Sequence, residues 1–108
     1  MPSKAARAAS SSVPGPEGIH VERTVTIVNR LGLHARAAAR LVTLASKFEA
    51  DVRVRKEARE VSGKSIMGVM MLAAARGSTV TLIAEGPDEA QALDELAALI
   101  ANRFDEDE

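Results

Sequence analysis

The chain has 108 residues, a formal net charge of −1 and no cysteine. Its length suits one small domain, and the absence of cysteine excludes disulfides and thiolate metal sites, which favours a cytoplasmic setting. With only two aromatic residues and a nearly balanced charge, the chain lacks the stacking side chains and the positive surface that nucleic-acid binding requires. No apolar run is long enough for membrane insertion.

The two ends of the sequence differ in composition from its middle. Residues 1–18 are rich in Ala, Ser, Pro and Gly, which predicts a disordered N-terminal tail. This tail faintly resembles an organelle transit peptide, but Pro14-Gly15-Pro16 favours a solvated linker. Residues 19–104 form the predicted domain, and residues 105–108 form an acidic C-terminal tail. Because this tail follows a helix end, where the dipole disfavours negative charge, we expect it to fray.

The predicted domain begins with a strand and an amphipathic helix. Residues 21–29 alternate between apolar and polar, as in a half-buried strand. After a turn at residues 29–32, apolar residues recur at helical spacing from residue 35 to residue 48. A polar and basic row on another face of this helix is either solvated or a docking surface for an acidic partner. The row consists of Arg36, Arg40, Thr43 and Lys47.

The second half of the domain adds three strands and two helices. Alternation predicts a strand over residues 51–56, a short strand ending near Ser62 and a strand over residues 79–85. Helical patterns cover residues 65–75 and then the stretch from Gly86-Pro87-Asp88 to about Arg103. Strands that are apolar on one face only predict an α+β open-faced β-sandwich of βαββαβα order. In this fold, three helices cover one face of a four-stranded antiparallel sheet.

His34 stands at the start of the first helix and is the best candidate for chemistry. An uncharged imidazole offers a nucleophilic lone pair near pH 7. The backbone N–H groups of Ala35 and Arg36 lack intrahelical partners, and the helix dipole favours an anion there. Gly32 lets the backbone turn sharply before the histidine, and the Arg36 guanidinium matches phosphate geometry. A lone histidine at a helix start is commonly a capping or surface residue, but this context predicts a phosphoryl carrier. His20 has no such context.

Two motifs resemble the signatures of the HPr family, the histidine-containing phosphocarriers of the bacterial phosphoenolpyruvate-dependent phosphotransferase system. They are Asn29-Arg30-Leu31-Gly32-Leu33-His34-Ala35-Arg36 and Lys64-Ser65-Ile66-Met67-Gly68-Val69-Met70. The likeness covers about residues 20–104, and the first motif and the acidic ending also resemble the nitrogen-related branch of the family. By this resemblance, enzyme I would phosphorylate His34 on Nδ1, Arg36 would assist, and the phosphate would pass to a histidine of an enzyme IIA protein.

The second motif carries two further expectations. Ser65 matches the family's regulatory serine, which a dedicated kinase phosphorylates in some bacteria, but it also suits a helix N-cap, and the residues leave both roles open. The helix after it is apolar nearly all round, so part of it should be exposed and dock several partners. Together with the basic row, the expected partner-binding residues are Arg40, Lys47, Ile66, Met67 and Met70.

One position departs from the family pattern. The family usually has proline where this chain has Ala37. Proline in the first helical turn loses no hydrogen bond, whereas alanine adds a free amide near the phosphate and leaves the segment less rigid. We expect altered transfer rates rather than lost function.

The leading hypothesis is a monomeric phosphoryl relay without metal or cofactor, rather than an independent catalyst, that serves sugar uptake or nitrogen and carbon regulation. The alternative is a regulatory docking module of the same fold, controlled by phosphorylation of Ser65. An unrelated anion-binding or nucleic-acid-binding domain fits the charge and the missing aromatics poorly. A hydrolase fits worse, because no carboxylate or second histidine lies near His34 in the motif.

Overall fold

The computed structural model describes residues 21–106 of the chain, and its elements follow the predicted order. The predicted tail over residues 1–18 lies outside this range. None of the helices that the structure describes is both long enough and apolar enough to cross a bilayer. In chain order, the elements are strand β1 (Val21–Thr26), helix α1 (Ala35–Ala45), strands β2 (Asp51–Lys56) and β3 (Arg59–Ser62), helix α2 (Ile66–Met71), strand β4 (Thr79–Glu85), helix α3 (Glu89–Ala101) and a 3-10 turn (Arg103–Asp105).

The four strands form one antiparallel sheet in the order β1-β4-β2-β3. The alternation in β2 and β4 places one row of apolar side chains on the inner face, where Val54 lies opposite Leu82 and both are fully buried. The three helices complete the core with Leu41, Val69 and Leu96, each without solvent exposure. The α+β open-faced sandwich predicted from the sequence is therefore confirmed.

The helices end earlier than their apolar patterns predict. Helix α1 ends at Ala45 instead of residue 48, and α2 ends at Met71 instead of residue 75. Helix α3 ends at Ala101 because Arg103, Phe104 and Asp105 adopt φ angles of 57°, 55° and 64°, which a right-handed helix cannot contain. The apolar residues beyond each helix are nevertheless buried, since Phe48, Ala74 and Phe104 are at most 8% exposed.

The C-terminal segment packs against the domain as far as residue 106. The buried Phe104 ring anchors it, and Arg40 donates a hydrogen bond to the Phe104 carbonyl oxygen. Asp105 accepts from the Asn102 side chain at 2.8 Å. The fraying expected from residue 105 onward is thus not found at Asp105 and Glu106, because burial of Phe104 outweighs the unfavourable helix dipole. Residues 107 and 108 lie outside the described range.

Candidate functional site

His34 is the N-cap residue of α1. Its backbone is extended (φ −75°, ψ 179°), and its side chain makes no hydrogen bond to the helix amides. The first α-helical hydrogen bond runs from Ala38 N to His34 O at 2.8 Å. The imidazole therefore leaves the amides of Ala35 and Arg36 uncapped. The ring itself is 27% exposed, so it is reachable from solvent, as the predicted chemistry requires.

A glycine turn places His34 at this point. Gly32 has a φ of +68°, and a Cβ added to it would lie 2.5 Å from the Ala74 carbonyl oxygen. The close approach is matched by a hydrogen bond from Leu33 N to the same Ala74 oxygen at 2.9 Å. Only glycine combines the left-handed φ with so near a backbone neighbour. The turn thereby fixes the start of α1 against the loop that follows α2.

The fold brings a carboxylate to the imidazole. Nε2 of His34 lies 2.7 Å from Oε2 of Glu106, and the Glu106 side chain is 13% exposed. The second oxygen, Oε1, accepts a hydrogen bond of 3.1 Å from Nδ2 of Asn29. Asn29 is fully buried, and its Nδ2 also donates to the Gly32 carbonyl oxygen at 2.8 Å. A continuous hydrogen-bonded chain therefore joins the glycine turn, the C-terminal segment and the imidazole.

The hydrogen bonds govern the ionisation of Glu106. Its burial by itself raises the pKa of the carboxyl, but the hydrogen bonds from His34 and Asn29 oppose this effect, as do the positive charge of His34 whenever its imidazole is protonated and that of Arg40. They leave the pKa of Glu106 below its ordinary value of 4.5. Near neutral pH the group is an ionised carboxylate, which can only accept hydrogen bonds.

The predicted basic row divides between two environments. Arg36 in the first turn of α1 and Lys47, two residues after the end of α1, are both exposed, so both can meet an anion or an acidic partner. Arg40 is partly buried and donates to the Phe104 carbonyl oxygen, which ties its guanidinium to the C-terminal segment. Arg36, predicted to assist His34, is thus exposed two positions after it in the chain, whereas Arg40, predicted to bind partners, contacts the C-terminal segment instead.

The second motif supplies a capped helix and an exposed apolar surface. Ser65 is the N-cap of α2, and its Oγ accepts a hydrogen bond of 3.0 Å from Gly68 N. The expected exposure of apolar side chains is found at four residues of α2, here called the apolar patch. Its members and their exposed fractions are Ile66 (43%), Met67 (71%), Met70 (39%) and Met71 (59%). Leu31, three positions before His34, is 60% exposed and was not among the expected partner-binding residues.

Two residues of the site were missed by reasoning from the sequence. The sequence places Asn29 at the end of the first strand, in the turn and in the first motif but assigns it no role of its own; its amide side chain directly after the apolar Ile27 and Val28 is the one available signal. Glu106 is 72 positions from His34, beyond any local pattern. The expectation that no carboxylate lies near His34 concerned the motif alone, and the carboxylate that the fold brings to His34 comes from outside the motif. Within residues 21–106, no cluster of three or more acidic or histidine side chains could hold a metal ion.

Comparison with known proteins places the chain in a family. A family model described as the PTS HPr component phosphorylation site matches residues 21–102. Phosphocarrier protein HPr of Cupriavidus necator is 59% identical over 88 residues, which are 82% of this chain and 99% of that protein. Phosphocarrier protein NPr of Shewanella violacea is 45% identical over 86 residues, 80% of this chain and 94% of its own.

Solved structures agree with this assignment. The crystal structure of HPr-C-His from Thermoanaerobacter tengcongensis has a TM-score of 0.79 to this chain at 45% identity, covering 82% of this chain and 99% of that one. HPr from Bacillus anthracis has a TM-score of 0.74 at 41% identity, covering 76% and 98%. From the family model, the relatives and the shared fold, the chain belongs to the HPr family of phosphocarrier proteins of the phosphotransferase system.

Proposed function

We propose that His34 accepts a phosphoryl group from phosphoenolpyruvate through enzyme I and passes it to a histidine of an enzyme IIA protein. The observation that supports this proposal best is the partly exposed imidazole at a helix start whose first amides it leaves uncapped. We further propose that the protein acts as a cytoplasmic monomer. Relatives named HPr and NPr both match, so the proposal covers sugar uptake and nitrogen or carbon regulation alike.

The proposed step needs a nucleophile and a place for the anion. Nδ1 of His34 attacks phosphorus, and the bond from phosphorus to the donor breaks as the N–P bond forms. The phosphoryl oxygens then meet the amides of Ala35 and Arg36 and the exposed Arg36 guanidinium. Stabilisation of an anion at a helix start is worth about 0.3–1 kcal/mol when exposed and up to about 2 kcal/mol when partly buried. So modest a gain suits a relay, because the phosphate must leave again.

Both partners must approach the same corner of the molecule. We propose that enzyme I and enzyme IIA dock on the apolar patch, including the predicted Ile66, Met67 and Met70, whose flexible side chains adapt to different surfaces. The exposed cations Arg36 and Lys47 would favour acidic partners. Arg40 contributes by holding the adjoining C-terminal segment.

A second candidate function rests on Ser65. The residue is partly buried at the start of the helix that carries the apolar patch. Phosphorylation by a serine kinase, and removal of the phosphate by a phosphorylase, would switch charge beside the patch and so control docking. A regulatory module of this kind keeps its partner affinity in a His34→Ala variant, whereas a relay loses phosphoryl transfer in that variant.

The decisive experiment is phosphorylation in vitro. The protein is incubated with phosphoenolpyruvate and enzyme I, and we expect one phosphate that is labile in acid and stable in base. His34→Ala should abolish it. His20→Ala, which removes the other histidine of the chain, is the matched control and should leave labelling intact. Labelling that survives in His34→Ala, or that requires His20, would refute the proposed role of His34.

A further inference from the structure

We propose that Glu106 is a positioning residue that holds His34 in the tautomer whose Nδ1 lone pair is free. The inference rests on the proposed function of His34 and assigns a role to a carboxylate at the far end of the chain. Three features of the molecule support this role: the pairing of hydrogen-bond donors with acceptors, the fixed orientation of Asn29, and the anchoring of the C-terminal segment.

The contact between Nε2 and Oε2 determines where the imidazole hydrogen lies. An ionised carboxylate has no hydrogen to donate, so the 2.7 Å contact requires a hydrogen on Nε2 of His34. An uncharged imidazole has a single N–H, and its other nitrogen carries the lone pair. The nucleophilic nitrogen is therefore Nδ1, while Nε2 is occupied by Glu106.

Asn29 fixes the orientation of the Glu106 carboxylate. Its Nδ2 donates both of its hydrogens, one to Gly32 O at 2.8 Å and one to Glu106 Oε1 at 3.1 Å. Rotating the amide by half a turn would direct Oδ1 at two acceptor oxygens, so the amide has one stable orientation. Oδ1 is buried and has no hydrogen-bond partner among the residues that the structure describes. A buried asparagine with an unpaired oxygen is costly, which indicates that its amide hydrogens are needed where they are.

The backbone carries Glu106 to the ring and keeps it there. Three consecutive residues with positive φ, Arg103 to Asp105, turn the chain back after α3. Positive φ angles are unfavourable for residues other than glycine. The burial of Phe104 and the hydrogen bond that Arg40 donates to its carbonyl oxygen offset this conformational cost. The contact between Glu106 and His34 is thus held in place by the buried and hydrogen-bonded residues that precede Glu106.

The same contact fits the chemistry of transfer. When Nδ1 forms the N–P bond, the hydrogen stays on Nε2 and the ring becomes a cation. The Glu106 carboxylate pairs with that cation, as the carboxylate of a catalytic triad pairs with its histidine. When the phosphoryl group moves to the next acceptor, the N–P bond breaks and its electron pair returns to Nδ1. No proton has to move in either direction.

The test is the substitution Glu106→Gln, because an amide has only one acceptor oxygen. If the side-chain oxygen of the new glutamine still accepts the hydrogen bond from Asn29, the glutamine NH₂ group faces Nε2 of His34. That NH₂ group can only donate, so Nε2 must become the acceptor. The hydrogen then moves to Nδ1 and blocks the nucleophile. We expect ¹⁵N chemical shifts of the ring to show N–H on Nε2 in the native protein and a large fraction on Nδ1 in Glu106→Gln. Phosphoryl uptake should slow by at least about tenfold.

Asp105→Asn is the matched control, since it removes the same charge one residue earlier and keeps an oxygen for Asn102. It should leave both the tautomer and the uptake rate near those of the native protein. Glu106→Ala serves as a second variant, in which the ring loses its partner and the tautomer is no longer fixed.

Three outcomes are informative. A Glu106→Gln protein that keeps its hydrogen on Nε2 overturns the inference, and so does one that changes tautomer without slowing uptake. If instead the native protein takes up no phosphate while the Gln variant changes tautomer, the proposed relay function is refuted. The inference that Glu106 selects the tautomer of His34 is then still supported.

Discussion

The turn before His34 offers the sharpest test of how the site is built. In Gly32→Ala, an alanine must adopt the left-handed backbone conformation of residue 32. Its methyl group would lie 2.5 Å from the Ala74 carbonyl oxygen and 3.0 Å from Ala75 Cα. Both neighbours are backbone atoms, so no side-chain rotation relieves the clash. The Ala74 carbonyl must move, and its 2.9 Å hydrogen bond from Leu33 N is lost or stretched.

The expected loss of stability combines two contributions. An alanine in the left-handed region costs about 1–2 kcal/mol, and the weakened hydrogen bond to Ala74 costs about 1 kcal/mol. The free energy of unfolding should therefore fall by about 2–3 kcal/mol. For a domain of this size, each kcal/mol lowers Tm by about 4–8 °C, so a fall of roughly 10–20 °C follows.

Gly77→Ala is the control that separates the two contributions. Gly77 also has a positive φ, +91°, but a Cβ there would meet no atom within 4 Å. Its loss should be confined to the conformational cost of about 1–2 kcal/mol. Urea unfolding of both variants at neutral pH measures the difference. Equal losses at the two glycines would refute the claim that the close approach to Ala74 positions His34. Phosphoryl uptake should also fall in Gly32→Ala and not in Gly77→Ala.

Three further predictions concern the second helix and the C-terminal segment. Ser65→Ala removes an N-cap and should cost about 1 kcal/mol in urea unfolding, while Ser65→Asp keeps a capping oxygen and most of the stability. Phe104→Ala empties a fully buried site and should cost about 3–5 kcal/mol, with loss of the His34–Glu106 contact in NMR spectra. The pKa of Glu106 is lower in the folded chain than its ordinary 4.5, so its stabilising contribution is present above that value and disappears as pH falls through the folded pKa. The free energy of unfolding should therefore fall more from neutral to acidic pH in native protein than in Glu106→Gln, which lacks this contribution at every pH; an equal or smaller fall in native protein would refute the pairing.

The fold could be predicted because its patterns are local. Strand β2 alternates, so Val52 and Val54 fall on one face, and β4 places Val80, Leu82 and Ala84 on one face although Ile83 interrupts the alternation. The antiparallel sheet follows from strands that are mainly apolar on one side. Helix ends were predicted less well, because Phe48 and Phe104 continue the apolar spacing after the backbone has left the helix. The spacing of apolar residues indicates which side chains are buried. A side chain can be buried after the helix has ended, so this spacing does not locate the last helical residue.

The candidate site was predictable only where its parts are neighbours in sequence. Gly32, His34 and Arg36 lie within five positions, and their residue types already indicate a phosphate at a helix start. The pairing of His34 with Glu106 depends on the fold, since it requires the left-handed turn at Arg103 to Asp105 and the burial of Phe104. No propensity predicts three successive positive φ angles in residues other than glycine.

A carboxylate beside a phosphate acceptor has opposing effects, and their balance suits a carrier. Glu106 contacts Nε2, so its negative charge favours the cationic ring that the proposed phosphorylation of Nδ1 would create. The same charge repels the phosphoryl oxygens, which the uncapped amides and the exposed Arg36 attract. Pairing with the ring helps the N–P bond to form, and repulsion of the anion keeps that bond from becoming too stable. A group that must arrive and depart many times is best held by a site in which neither effect dominates.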